Sequence, residues 1–341
     1  MSQKSHSSTV LVAGGAGYIG SHTAKALAQA GIEPVVLDNL CTGNRFALRF
    51  GPFYEGSIAD GALVREIVAR HRPVGAILFA GHAYVGESTA NPRKYFNNNV
   101  VEAIQFLNHL LDAGGLQGVV FSSSCSVYGI QSHVPISESS AQDPLSPYAE
   151  TKAFLEKVLR WYGSAYGLRS ACLRYFNAAG ADPDGELGEH HDPETHLIPL
   201  AILAAMGKER LRVFGTDYAT ADGTAIRDYI HVSDLADGHV RALRRLMDGS
   251  ESFTLNLGTG NGFSVREVIR QVEHTAGVPV PVEYGPRREG DAPELVADPR
   301  LARDMLGWTP RHSSLETIVR TAWDWYTQQE ASAVTVPESS S

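Results

Sequence analysis

The stretch Thr9-Val-Leu-Val-Ala-Gly-Gly-Ala-Gly-Tyr-Ile-Gly-Ser-His22, with Pro34-Val-Val-Leu-Asp38 after it, decides the fold. A β-branched run, a glycine turn, a helical pattern through Ala24, Leu27 and Ala28, and a second apolar run make one βαβ unit. Gly14-Gly-Ala-Gly17-Tyr-Ile-Gly20 satisfies GxxGxxG and, read from Gly15, GxGxxG. Glycine is needed where such a turn takes positive φ and where backbone must approach a pyrophosphate seated at the following helix N-terminus. Asp38 ends the second strand, where a carboxylate accepts the hydroxyls of the adenine ribose and repels a 2′-phosphate. The expected cofactor is NAD rather than NADP.

Outward from this unit, strands are expected at Phe53–Glu55, Ala76–Phe79, Val119–Phe121 and Ser170–Leu173, alternating with helices around 63–70, 100–111 and 148–166. Strands alternating with helices, the strands nearly continuous in apolar residues, predict an α/β fold: a Rossmann-type doubly wound parallel sheet. After Arg174 the sequence becomes loop-rich, with one helix near 200–206 and a hairpin-like stretch at Leu211–Phe214. Residues 228–246 and Phe253–Leu257 again read as helix and strand of the first unit. The expected division is a nucleotide domain over 1–178, rejoined by about 228–258, and a smaller α+β substrate domain from 179–227 and 259–327. Residues 328–341, small and polar, read as a disordered tail.

The 341 residues are enough for about two domains and a self-supporting core. With 29 Lys+Arg against 38 Asp+Glu, the formal charge of −9 excludes a nucleic-acid coat or a protein adsorbed to an anionic membrane. Cys41, Cys125 and Cys172 show no metal-type spacing and leave an odd count, which fits a reducing cytoplasm. Met1–Ser8 has no apolar core of a secretory signal, and no run approaches a membrane span.

Ser122-Ser-Ser-Cys-Ser126 follows the fifth strand, and Tyr148-Ala-Glu-Thr-Lys152 opens the next helix behind Pro147. Residues i and i+4 share a helix face, so Tyr148 and Lys152 project together. A free phenol, with a pKa of about 10, is a poor base at neutral pH. A neighbouring ammonium and a cationic nicotinamide are expected to pull it toward the working range.

The Gly14/Gly17/Gly20 loop, Ser124 and Tyr148-x-x-x-Lys152 resemble the extended short-chain dehydrogenase/reductases from Thr9 to about Tyr326. Within them, six blocks are similar to the UDP-glucose 4-epimerases: Gly17–His22, Val85–Ser88, Leu173–Asn177, Arg227–His231, Asp234–His239 and Arg287–Asp291. The resemblance implies that Tyr148 takes the proton of the sugar 4-hydroxyl, that Ser124 orients that hydroxyl, and that Lys152 binds the nicotinamide ribose. It implies cofactor contacts from Gly14, Gly17, Tyr18, Ile19, Gly20, Asp38, Asn39, Ser57, Ile58, Phe79, Ala80, Gly81, Asn98, Ser122, Tyr148, Lys152, Tyr175 and Phe176. It implies UDP-sugar contacts from Ser124, Tyr148, Asn177, His196, Leu197, Arg227, Arg288, Asp291 and Leu295, and a homodimer paired through 100–111 and 154–166. Three positions depart from the family pattern. Ser57 replaces an acid that contacts adenine, Ala83 replaces a Lys, and Leu295 stands where the family limits sugar size, between a large Tyr and a small residue.

The activity implied is interconversion of UDP-glucose and UDP-galactose through a 4-keto sugar. The same residues serve a UDP-xylose/UDP-arabinose or UDP-N-acetylhexosamine 4-epimerase. A 4,6-dehydratase would need Thr-Asp-Glu where Ser124-Cys-Ser126 stands, and a non-catalytic NAD sensor would not need Tyr148 or Lys152. His190, His191, Asp192, Glu194 and His196 match no zinc-ligand spacing, so a substrate loop rather than a metal site is expected there. Arg241, Arg244 and Arg245 read as a solvated helix face, and Thr216–Thr224 as a connecting loop.

Overall fold

The computed structural model describes residues 8–288 and 290–334. Thr9–Ala13 forms β1, buried along its whole length, and Tyr18–Gln29 forms α1. There follow β2 (Glu33–Asp38), β3 (Phe53–Glu55), α2 (Gly61–His71), β4 (Gly75–Leu78), α3 (Val85–Ala90) and α4 (Pro92–Tyr95). A π-helical turn (Phe96–Glu102) runs into α5 (Ala103–Ala113), followed by β5 (Gly118–Ser124), α6 (Pro147–Tyr166), β6 (Ser170–Tyr175) and β7 (Asn177–Ala179). The second half holds α7 (Leu197–Ala205), β8 (Leu211–Phe214), β9 (Ile226–Arg227), β10 (Tyr229–His231), α8 (Val232–Met247), β11 (Phe253–Leu257) and β12 (Phe263–Ser264). It closes with α9 (Val265–Ala276), β13 (Val282–Gly285), β14 (Glu294–Leu295), α10 (Arg300–Leu306) and α11 (Leu315–Val334).

Seven strands form one parallel sheet in the order β11-β6-β5-β4-β1-β2-β3. The order reverses between β1 and β4, and at such a switch point the loops beyond the strand ends part to leave a ligand crevice. One face of the sheet is covered through Leu11, Leu37, Leu78, Phe106, Phe121 and Leu155, from strands and from α5 and α6. The other is covered through Val10, Val12, Ile77, Leu243 and the buried Trp308. A third core is built on Ile202, Val213, Val268, Val272 and Ile318.

Four local expectations change. Leu211–Phe214 is no hairpin, since β8 pairs in parallel with β13, about seventy residues on. The apolar run to Leu111 begins as a π-helical turn at Phe96 and ends at Ala113. Residues 229–231 form β10 beside β7 before the helix starts at Val232. Residues 328–334 continue α11 rather than forming a tail, while the rest of the expected tail, 335–341, lies outside the described residues.

Candidate active site

Gly14 turns the chain at φ +81°, and a Cβ there would stand 2.5 Å from the Ala80 amide nitrogen, so the turn after β1 can only be glycine. A Cβ at Gly20 would collide with the Gly14 carbonyl oxygen, which lets α1 start hard against the loop. Gly17 differs: a Cβ there would meet only Gly14 O, at 3.4 Å, so its outer side is open. Gly17 is also the extended N-cap of α1 with no side-chain cap, which leaves the first amides, at Tyr18 and Ile19, for an anion. Tyr18 turns its hydroxyl away to donate to Gly180 O at 2.5 Å.

Asp38 is buried at the end of β2, where Oδ2 accepts from Ala16 N at 2.9 Å and Oδ1 from Leu40 N at 2.8 Å. Burial raises its pKa and these two amides lower it. Asn39 is exposed beside it, and its Oδ1 accepts from Cys41 N. Ile58 is a core residue, while Ser57 is half-buried. Phe79 packs on His239, and Ala80 N donates to Ala13 O, so the segment beyond β4 sits against the glycine loop. An open helix start, an acid one strand over and close-packed glycine backbone fit the pyrophosphate and adenine ribose of NAD.

Asn98 is half-buried and its neighbour Asn99 is buried. Asn99 Oδ1 accepts from His82 N at 2.8 Å, and its Nδ2 donates to His82 O at 2.9 Å and to Thr151 Oγ1 at 3.2 Å. It thereby ties the Gly81–His82 turn to α6.

The last three residues of β5 are Ser122, Ser123 and Ser124, so the serine cluster is strand rather than the segment after it. Helix α6 is aimed at this strand end by Ser146, whose side chain accepts from Ala149 N, and by Pro147 at its first turn. Ser124, Tyr148 and Lys152 are 7%, 8% and 6% exposed. Ser124 is a hydrogen-bond partner of Tyr148, and its Oγ also donates to Ser126 Oγ at 3.0 Å. Lys152 Nζ donates to Ser122 O at 2.7 Å, with Ser122 Oγ at 3.4 Å.

Burial pushes the Tyr148 phenol up to about 12, against the Ser124 hydrogen bond that pulls it down. Burial likewise draws the Lys152 ammonium down to about 8. Lys152 Nζ lies 5.8 Å from the centre of the Tyr148 ring. Tyr175 is a hydrogen-bond partner of Ser122, and its phenol is also raised by burial.

Phe176, Cys125 and Ala153 share one buried cluster, and Leu295 packs against that cluster. Leu295 pairs in register with Arg227 across β14 and β9. Arg227 forms an ion pair with Asp291, whose Oδ2 accepts from the Tyr218 hydroxyl at 3.2 Å. Arg288 is exposed, its guanidinium 4.0 Å above the centre of the Phe214 ring. Asn177 Nδ2 donates to Asp228 O at 3.2 Å.

His196 and Leu197 stand where α7 begins. The histidine loop is brought together with Glu189, which sequence reasoning did not single out. His191 Nδ1 lies 3.2 Å from Glu189 and 3.7 Å from Glu194, and His196 pairs with the same Glu189. Burial works to raise Glu189, but His196 and His191 hold it down to about 2. Burial opposes charging of His191, yet Glu189 and Glu194 raise it to about 10. The four groups make a self-compensating charge cluster, edge-on to Tyr18 and Tyr84.

A glycine loop on a doubly wound sheet, an acid ending the second strand and a buried Ser–Tyr–Lys set define an extended short-chain dehydrogenase/reductase. Residues 10–258 match the NAD dependent epimerase/dehydratase family. A UDP-glucose 4-epimerase of Rhizobium leguminosarum bv. trifolii is 50% identical over 319 residues, 93% of this chain and 97% of that protein. The crystal structure of a UDP-glucose 4-epimerase from Brucella ovis in complex with NAD superposes with a TM-score of 0.91 at 52% identity, over 93% of this chain and 98% of that one. The UDP-glucose 4-epimerase from Stenotrophomonas maltophila, with bound NAD and formylated UDP-arabinopyranose, gives 0.91 at 38% identity, over 96% and 100%. The chain belongs to the NAD-dependent epimerase/dehydratase family.

Proposed function

We propose that the chain is a UDP-glucose 4-epimerase, interconverting UDP-glucose and UDP-galactose. The observation that carries this reading is the burial of Ser124, Tyr148 and Lys152 together beside Leu295 and Phe176, at the mouth of the dinucleotide crevice. NAD, when bound, supplies the acceptor and donor of hydride for C4 of the sugar. Tyr148 Oη takes the proton of the 4-hydroxyl as C4 is oxidised and returns it on reduction. Ser124 Oγ orients that hydroxyl, and Lys152 fixes the end of β5 relative to α6 while its charge favours the phenolate. The positive charge of oxidised NAD, when bound, would add to that of Lys152 in favouring the phenolate against the burial that raises Tyr148.

For the 4-keto sugar to return its other face, the hexose must be free to turn while the nucleotide stays held. Arg227 and Arg288 supply that hold on the diphosphate, with Asp291 fixing the Arg227 fork. Residues 1–178 with about 228–258 then form the NAD domain, and 179–227 with 259–327 the UDP-sugar domain. The exposed Phe154, Trp161 and Tyr166 on α6 and Phe96 and Val101 before α5 support a homodimer paired through these helices. No helix among the described residues is long and apolar enough to cross a membrane. The acidic chain and its unpaired cysteines support a cytoplasmic enzyme without a nucleic-acid or membrane partner.

Steady-state turnover of UDP-galactose, UDP-N-acetylgalactosamine and UDP-arabinose by the purified protein tests the substrate. UDP-galactose is expected to have the highest kcat/KM. A leading kcat/KM for either of the others would reassign the sugar, and no turnover of any would remove the epimerase reading.

A further inference from the structure

Strand β3 lies outside β2, with Glu55 in register with Asp38, and Gly56 N donates to Asp38 O at 3.0 Å. The segment after β3, Gly56–Ile58, is therefore the next wall outward from the carboxylate that takes the adenine ribose. A dinucleotide whose adenine ribose is held at Asp38 would meet this segment if its base extends outward past β2. Ser57 carries only a hydroxyl, and it donates that hydroxyl to Glu102 Oε2 at 3.2 Å, while its Oγ accepts from Ala59 N at 3.0 Å. Glu102 closes the π-helical turn, is half-buried, and has Asn97 Nδ2 at 3.5 Å from its other oxygen. Two segments forty-five residues apart thus place the Glu102 carboxylate beside Ser57 on this wall.

We propose that Glu102 is the specificity-determining residue for the purine base, accepting a hydrogen bond from the exocyclic amine of adenine with Ser57 fixing its rotamer. This rests on the NAD reading and deepens it. An ionised carboxylate is an acceptor only, so it pairs with a 6-amino purine and repels the carbonyl of a 6-oxo purine. A carboxamide, with both donor and acceptor, tolerates either.

The test offers the purified protein NAD and nicotinamide hypoxanthine dinucleotide at equal concentration and reads the retained nucleotides by mass spectrometry after gel filtration. The wild type should retain NAD over the hypoxanthine analogue by about ten- to a hundredfold, the range for a hydrogen bond to a charged group. Glu102→Gln should bring that ratio near one, and Ser57→Asp combined with Glu102→Gln should restore it. Equal retention by the wild type, or an unchanged ratio in Glu102→Gln, overturns the proposal and leaves NAD binding intact. Retention of neither nucleotide by the wild type overturns the NAD reading itself. Should Glu102→Gln not fold, the wild-type ratio and the thermal shifts given by the two nucleotides still decide the matter, because equal shifts overturn the proposal.

Discussion

Lys152 Nζ donates to the Ser122 carbonyl at 2.7 Å and lies 5.8 Å from the centre of the Tyr148 ring. One buried ammonium thus joins the end of β5 to the first turns of α6 and faces the phenol across the site. Burial draws its pKa down to about 8, which brings its titration closer to neutral pH than that of a free lysine.

Lys152→Met, of similar length and apolar, removes the charge and leaves the Ser122 carbonyl without its donor. A fall in kcat of at least about a hundredfold is expected, since the phenolate loses its cationic neighbour. The variant should also release NAD faster than wild type on dilution. Steady-state kinetics and nucleotide content after gel filtration measure both.

Tyr148→Phe keeps the ring in its buried slot and removes only the proton acceptor. Loss of a general base is expected to cost about 10²- to 10⁴-fold in turnover, with NAD content and melting temperature close to wild type. Near-normal turnover would show that another group takes the proton.

Arg174 and Glu156, with side chains 7% and 8% exposed, form a two-point ion pair at 2.9 and 2.5 Å. Ser123 and Gln142 also donate to Glu156. Glu156→Ala leaves the guanidinium buried without its partner, so urea unfolding should lose about 3–5 kcal/mol. A loss below about 1 kcal/mol would mean that water reaches the pair.

His191 is raised from its ordinary 6.5 to about 10 by Glu189 and Glu194, so its pairing stabilises the fold fully below pH 6.5 and fades as pH rises through 10. Glu189, held from 4.5 down to about 2, contributes above pH 4.5 and fades as pH falls through 2. His191→Gln should therefore melt below wild type by the widest margin between pH 4.5 and 6.5. The margin should narrow toward pH 10, as melting curves across that range will show.

Much of this was legible in the sequence because the long elements carry their own periodicity. The run from Thr9 to Asp38 fixes strand, glycine turn, helix and acid within thirty residues, and Tyr148 and Lys152 sit one helical turn apart. The short strands β7, β9, β10, β12 and β14, of two or three residues, have too few positions to show alternation, and pairing with distant segments defines them. The burial of Asn99 is not legible from spacing, because a π-helical turn breaks the 3.6-residue count across Phe96–Glu102. Glu189, Glu102 and Tyr218 gain meaning only from partners tens of residues away or across a loop. The burial that raises the Tyr148 phenol is likewise a property of the packed structure and not of the Tyr-x-x-x-Lys spacing.

The central claim is that C4 of the sugar gives up its hydrogen as hydride inside a closed site while Tyr148 handles only the hydroxyl proton. The most direct measurement follows UDP-galactose deuterated at C4 through conversion in ordinary water, with the product examined by NMR. The account predicts UDP-glucose with deuterium still at C4, formed by wild type and at least about a hundredfold more slowly by Tyr148→Phe. Solvent hydrogen at C4 of the product, or equal rates for the two proteins, would contradict it.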